Sequence, residues 1–310
     1  MASQFVTTVL MMVVIFQTSV DAECKEVARS NDELAQSLPA GSAIQKRAAI
    51  DHPDCGQRPL AGTADGSEPF TVGAKEATPN SWPWTCSLQR FGSHICGGSL
   101  IKNKEGDYFF LTAAHCVSDS DFNAGSYLVR CGIHNLQSSA EPYEEFLDLK
   151  DLTRHPSYSS STFRNDIAIM SLNSNPTETD GLFAVCLPAS NAETDDGEYW
   201  YTGWGVFYPG GSPLTPVLNE VTMQIVSDDI CDGTYGSFFY APTMVCVSMY
   251  GTGGHAACQG ISGSPLVAFR NGGWELVGVA SWGYDCTQTA NPGVYTDVYQ
   301  MESWINSVIN

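Results

Sequence analysis

The chain is 310 residues long, enough for one large domain or two small ones with cores of their own. Its 14 Lys and Arg stand against 34 Asp and Glu, a formal net charge of −20 spread over both halves, which argues against nucleic acid or an anionic membrane as partner. Eleven cysteines read as the disulfide framework of a secreted, extracellular protein, with Cys24 left over.

Residues 1–22 read as a secretory signal peptide: Phe5 to Val20 is apolar but short for a bilayer span, and Val20-Asp21-Ala22 closes it with small residues suited to cleavage. No other stretch is long and apolar enough for a membrane helix. Residues 23–70 differ in composition and read as a pro-segment or linker. Ser30-Asn31-Asp32-Glu33 opens a short polar helix with capping-box spacing. The pair Lys46-Arg47 is either a processing site or part of an exposed linker that is never cut. His52 and Cys55 make only two metal ligands, too few for a site, and no metal or cofactor is expected.

From Trp82 the pattern is all-β. Short apolar or alternating runs cover Trp84–Arg90, His94–Ile101, Tyr108–Ala114, Tyr127–Gly132 and Ile167–Leu172. A second set covers Tyr199–Gly203, Val221–Val226, Met244–Val247, Pro265–Phe269, Trp274–Trp282 and Gly293–Val298. Asn271-Gly272 is a strong hairpin signal between two of them. Two such sets fit a pair of antiparallel barrels. Met301, Trp304, Ile305, Val308 and Ile309 share one face of a C-terminal helix.

Three stretches carry chemistry. Cys258-Gln259-Gly260-Ile261-Ser262-Gly263-Ser264-Pro265 is a glycine-punctuated turn that presents Ser262, with the N–H groups of Gly260 and Ser262 placed to hold an oxyanion. Taken alone, such a turn is more often plain surface. Leu111-Thr112-Ala113-Ala114-His115-Cys116 sets a histidine at the end of an apolar strand, and Asp166-Ile167-Ala168-Ile169 sets a carboxylate at the mouth of another. Each alone is usually structural. Together they offer a nucleophile, a base and a group to fix the base's tautomer.

These stretches, with Ser81-Trp82-Pro83-Trp84, Cys96-Gly97-Gly98-Ser99-Leu100, Thr202-Gly203-Trp204-Gly205, Ser281-Trp282-Gly283 and Pro292-Gly293-Val294-Tyr295, resemble the chymotrypsin-like (trypsin-family) serine proteases in family order. The resemblance runs from Thr71 to the C-terminus. It implies two antiparallel Greek-key β-barrels with a C-terminal helix, over about 71–185 and 186–310, and a monomeric secreted zymogen. It also implies a Ser262–His115–Asp166 triad acting on protein or peptide substrates, with protein protease inhibitors as further partners. The implied disulfides are Cys96–Cys116, Cys231–Cys246, Cys258–Cys286 and Cys55–Cys186, the last as a pro-segment anchor. Another family bridge is lost at both ends, at Tyr199 and Ala268. Cys86 and Cys131 fall on strands that the family makes neighbours, and an extra bridge between them is expected.

The implied specificity pocket has Ala256 as its floor beside Ala257, with Gly283 and Gly293 leaving the walls open. No carboxylate waits there, so large apolar residues are favoured over Lys or Arg, with burial of such a side chain worth about 1.5–3 kcal/mol. Ser281, Trp282 and Gly283 would pair with an extended substrate as an added strand.

The activation residues depart from the family pattern. Thr71-Val72-Gly73-Ala74 follows Phe70 rather than a basic residue, and Ile261 replaces the aspartate that receives the new ammonium. Two readings follow: a chain active without that ion pair, or a silent homologue acting as a secreted binding protein. Ser264 stands where the family usually has Gly, and Ile133 replaces the glutamate of calcium-binding members.

Overall fold

The computed structural model describes residues 54–61, 74–117, 123–191, 198–205, 215–249, 262–283 and 291–310. The described residues form two antiparallel sheets of seven strands each. The first contains β2 (Thr85–Arg90), β3 (Ser93–Lys102), β4 (Tyr108–Thr112), β5 (Tyr127–Cys131), β6 (Glu145–Leu147), β7 (Leu149–Arg154) and β8 (Ala168–Leu172). Their order is β6-β5-β2-β3-β4-β8-β7, a curled sheet. The second joins β1 (Lys75–Glu76) to β9 (Tyr199–Gly203), β10 (Asn219–Val226), β11 (Met244–Met249), β12 (Pro265–Arg270), β13 (Gly273–Trp282) and β14 (Gly293–Asp297). The order β1-β10-β11-β14-β13-β12-β9, with β9 also paired to β10, closes six strands into a barrel and leaves β1 outside it. The all-β fold read from the apolar runs is the fold observed, with one sheet closed into a barrel and the other curled into a half-barrel.

Alternation explains the packing of β2. Cys86 and Leu88, with Trp84 just before them, are fully buried on one face. The small polar residues between them turn toward the second sheet, where Thr85 and Thr202 join hydroxyls at 2.8 Å. Asn271 and Gly272 both take positive φ, 53° and 86°, as a two-residue hairpin turn requires.

The sequence reading omits the short strands β1, β6 and β7 and one helix. Strands β6 and β7 carry Glu145, Lys150, Asp151 and Arg154 at the sheet's ends, and of their residues only Leu147 and Leu149 are buried. Helix α1 (Asp228–Tyr235) has three aspartates and a glycine; it is pinned by buried Cys231 and Tyr235, one turn apart, and by the Cys231–Cys246 disulfide. At the C-terminus α2 (Glu302–Ile309) buries Ile305 and Ile309 and leans Trp304 and Val308 on the core. No helix among the described residues is long and apolar enough to cross a membrane.

Four tryptophans, Trp82, Trp84, Trp200 and Trp274, pack edge to face or tilted in the core, with Trp82 and Trp274 centroids 4.9 Å apart. Segment 54–61 is fastened to this cluster. Cys55 is bonded to Cys186, Trp274 donates its main-chain N–H to Gly56, and the buried Arg58 guanidinium lies 3.4 Å over the Trp82 ring. A cation on an aromatic face out of water is worth about 2 kcal/mol. The described disulfides also include Cys86–Cys131 and Cys96–Cys116. Cys24, Cys258 and Cys286 lie outside the described residues, as do Thr71 and Ile261.

Candidate active site

Strands β4 and β8 are paired, with Thr112 opposite Ala168. Their matching ends therefore carry His115, on a 3₁₀ turn after β4, and Asp166, two residues before β8. The Cys96–Cys116 disulfide ties that turn to β3.

Asp166 is fully buried and its carboxylate is saturated with donors. The His115 main-chain N–H donates to Oδ1 at 2.9 Å, and His115 Nδ1 lies 2.7 Å from Oδ2. Ser281 Oγ, from β13, donates to the same Oδ2 at 2.5 Å. Thr296 Oγ1, from β14, donates to the Asp166 main-chain carbonyl at 2.9 Å. A residue at the entry to β8 of the first sheet is thus gripped by two strands of the second. With Nδ1 engaged, Nε2 is the His115 nitrogen left to exchange protons. The His115 side chain keeps 22% of its surface exposed, so a substrate can reach it.

Phe163 packs edge-on to the imidazole at 5.7 Å. Its φ of 53°, beside 54° at Asn165, is rare for a bulky residue and marks a tightly held loop. Tyr158 sits in the same loop region; burial and then the charge of Asp166 push its phenol up to about 12. Arg164 reaches the connection that precedes β11, lying 4.2 Å over the Tyr240 ring.

Ser262 is half-buried on the turn before β12. Its carbonyl accepts the Gly97 N–H at 2.8 Å, and the Gly263 N–H donates to Ala280 at 2.8 Å. Gly263 has a φ of 78°, and a Cβ there would meet Thr112 Oγ1 at 2.2 Å, so only glycine fits. Ser281 and Trp282 end β13, and Trp282 rests edge-on against Tyr235 at 4.9 Å. The Tyr235 hydroxyl donates in turn to the Pro292 carbonyl. A Cβ on Gly283 would lie 3.7 Å from Gly293 Cα, so these two glycines face each other. Ala256, Ala257 and Gly260 lie outside the described residues.

Cys96, Cys116 and His115 bring three potential ligand atoms within 4.8 Å, but the two sulfurs are joined to each other and offer no thiolate to a metal. The loop after Gly132 commits its carboxylate inward: Glu141 accepts the main-chain N–H groups of His134 and Asn135 at 2.6 and 2.7 Å. Sequence reasoning missed Ser281 and Thr296 as partners of Asp166, and Phe163 as neighbour of His115. Nothing in the local sequence marks a contact across 115 positions.

The family model described as Trypsin matches residues 71–305. Transmembrane protease serine 5 of Homo sapiens is 32% identical over 256 residues, covering 82% of this chain and 53% of that protein. The chain therefore spans about half the length of this relative.

Proposed function

The chain belongs to the trypsin family of serine proteases, and from that premise we propose that it is a secreted endopeptidase that cleaves through Ser262, His115 and Asp166. The observation that carries this reading is the Asp166 carboxylate, buried and aimed through Oδ2 at His115 Nδ1. Structure alone has no need for a buried carboxylate on an accessible imidazole. A base held in one tautomer does need it.

In the proposed reaction Ser262 Oγ attacks the substrate carbonyl while His115 Nε2 takes its proton. The carbonyl oxygen becomes an oxyanion held by the N–H groups of Gly260 and Ser262. The imidazolium, steadied by Asp166, passes the proton to the leaving amine as the C–N bond breaks. Water then repeats the sequence on the acyl-enzyme and frees Ser262. Ser281, Trp282 and Gly283 hold the substrate strand. A pocket floored by Ala256 and Ala257 between Gly283 and Gly293 takes a large apolar side chain. Residues 71–310 form the protease domain in this reading, behind a signal peptide and a pro-segment over 23–70.

A fluorophosphonate probe tests the proposal. Wild type should be labelled at neutral pH and Ser262→Ala should not; an unlabelled wild type refutes the enzyme reading. Peptides with Phe, Tyr or Leu before the cut should outrun those with Arg, and the reverse order refutes the pocket assignment.

A further inference from the structure

The rim of the candidate site carries a cation that no acid among the described residues neutralises. Arg164 lies between Phe163, which meets the His115 ring, and Asn165, and both of these neighbours hold positive φ. Its guanidinium carbon sits 4.2 Å over the Tyr240 ring, and Nη2 donates to the Ser237 carbonyl at 3.4 Å. Ser237 follows Tyr235 by two residues, and Tyr235 packs edge-on against Trp282. The side chain thus reaches from the loop beside His115 to the segment that backs Trp282, the two flanks of the proposed substrate strand.

This seat fixes the charge without answering it. Nε is buried with no acceptor, and Nη1 donates to nothing among the described residues. No carboxylate among them forms an ion pair with Arg164. Acids outnumber bases 34 to 14 in this chain, so an arginine without one is out of keeping. Arg130 is the contrast: its Nε meets Glu144, and its other nitrogens meet the Leu136 and Ser138 carbonyls. Asp166, two residues along the chain, is spent on His115 and Ser281. A ring face near the surface holds a cation only weakly, so the charge stays available. The ligand that suits a guanidinium with idle donors is a carboxylate, which can accept two parallel N–H bonds.

We propose that Arg164 is a specificity-determining residue: it takes the carboxylate of an Asp or Glu in the substrate, upstream of the residue that enters the pocket. An extended substrate paired with Ser281, Trp282 and Gly283 places its upstream side chains between Phe163 and Trp282, where the guanidinium lies. The preferred substrate is then acidic upstream and apolar at the cut. The net charge of −20 repels such a peptide from afar, but salt screens that field beyond about 8 Å and leaves the local contact to decide. The inference rests on the endopeptidase reading, and its binding test needs no turnover.

Paired fluorogenic peptides test it in the full chain at physiological salt. They share the residue before the cut and differ only in Asp against Asn at each upstream position in turn. At one of these positions the Asp peptide should show a kcat/KM about tenfold higher, between the effect of an exposed ion pair and that of a charge-assisted bond out of water. Arg164→Gln should bring this ratio to about one, and Arg164→Lys, which keeps the charge but not the fork, should leave it in between. If Arg164 served only to hold its loop, its loss would slow both peptides alike and leave the ratio standing. Lys104→Gln removes the same charge from the exposed β3–β4 connection and should not move the ratio. The same peptides are then titrated against Ser262→Ala, with and without Arg164→Gln, and fluorescence anisotropy reads binding without cleavage. The Asp peptide should bind about tenfold tighter only where Arg164 is present. A wild-type ratio within about twofold of one at every position, or a ratio that survives Arg164→Gln, overturns the inference. If wild type is neither labelled by the probe nor cleaves any peptide, the enzyme reading falls; the binding ratio then decides alone, and peptides that fail to bind overturn the inference too.

Discussion

Replacing Asp166 by Asn separates stability from catalysis, and the structure sets both magnitudes. Three donors converge on the carboxylate: the His115 main-chain N–H on Oδ1, and the ring Nδ1 and Ser281 hydroxyl on Oδ2. An amide can sit there in two ways. With its oxygen toward Nδ1, its NH₂ faces the main-chain N–H, and two donors meet at a cost of about 1–3 kcal/mol. With its NH₂ toward Nδ1, the main-chain bond is kept, the Ser281 hydroxyl turns to accept, and the imidazole moves its proton to Nε2. That second arrangement leaves nothing unpaired and wins. Folding should lose only about 1 kcal/mol, a melting shift of about 2–4 °C for a domain of this size. The proton on Nε2, however, blocks transfer from Ser262, and the labelling rate should fall about 10⁴-fold. Asp166→Ala, by contrast, strands all three donors and should cost about 3 kcal/mol or more of stability as well. The assay is fluorophosphonate kinetics beside thermal denaturation of the same samples. Asp166→Asn labelled within tenfold of wild type would refute the assigned proton route.

Ser281→Ala removes one of the two bonds on Oδ2 and leaves His115 oriented by the other, so probe labelling should slow about tenfold with folding hardly touched. Cys86→Ala/Cys131→Ala opens a loop of 45 residues and should lower unfolding free energy in urea by about 4 kcal/mol on the chain-entropy model. His155 is half-buried beside Trp304, and burial holds its pKa below the usual 6.5. As pH falls through that value the unfolded chain takes a proton the folded chain refuses, so stability is lost on the acid side until the folded pKa is passed. His155→Phe should flatten this loss on the acid side of about pH 6.5 in thermal melts, and an unchanged slope would refute it.

The core strands were legible because strands such as β2 alternate apolar Cys86 and Leu88 with polar Thr85, Ser87 and Gln89. The edge strands β6 and β7 were not, since a strand at a sheet's end meets water and may carry Glu145 or Lys150 without cost. Helix α1 escaped for a related reason: its stability comes from Cys231 and Tyr235 docking on the barrel, while its aspartates and Gly233 speak for a turn. Within the site, His115, Asp166 and Ser262 each sit in a short motif that can be read in place. Ser281 cannot be read so, because what matters about it is its partner Asp166, met only after the chain has closed.

The Cys55–Cys186 bond divides the upstream chain into two regions with opposite fates. A cut after Arg47 lies before Cys55 and sets the preceding peptide free to diffuse. A cut between Cys55 and the segment at Thr71 frees nothing: the upstream piece stays leashed to the protease by one covalent link, with Arg58 still lodged on Trp82. On a gel the second product would keep its full mass until a thiol is added, and then fall into two bands. Whatever lies upstream of such a cut stays joined to Cys186 until that bond is reduced.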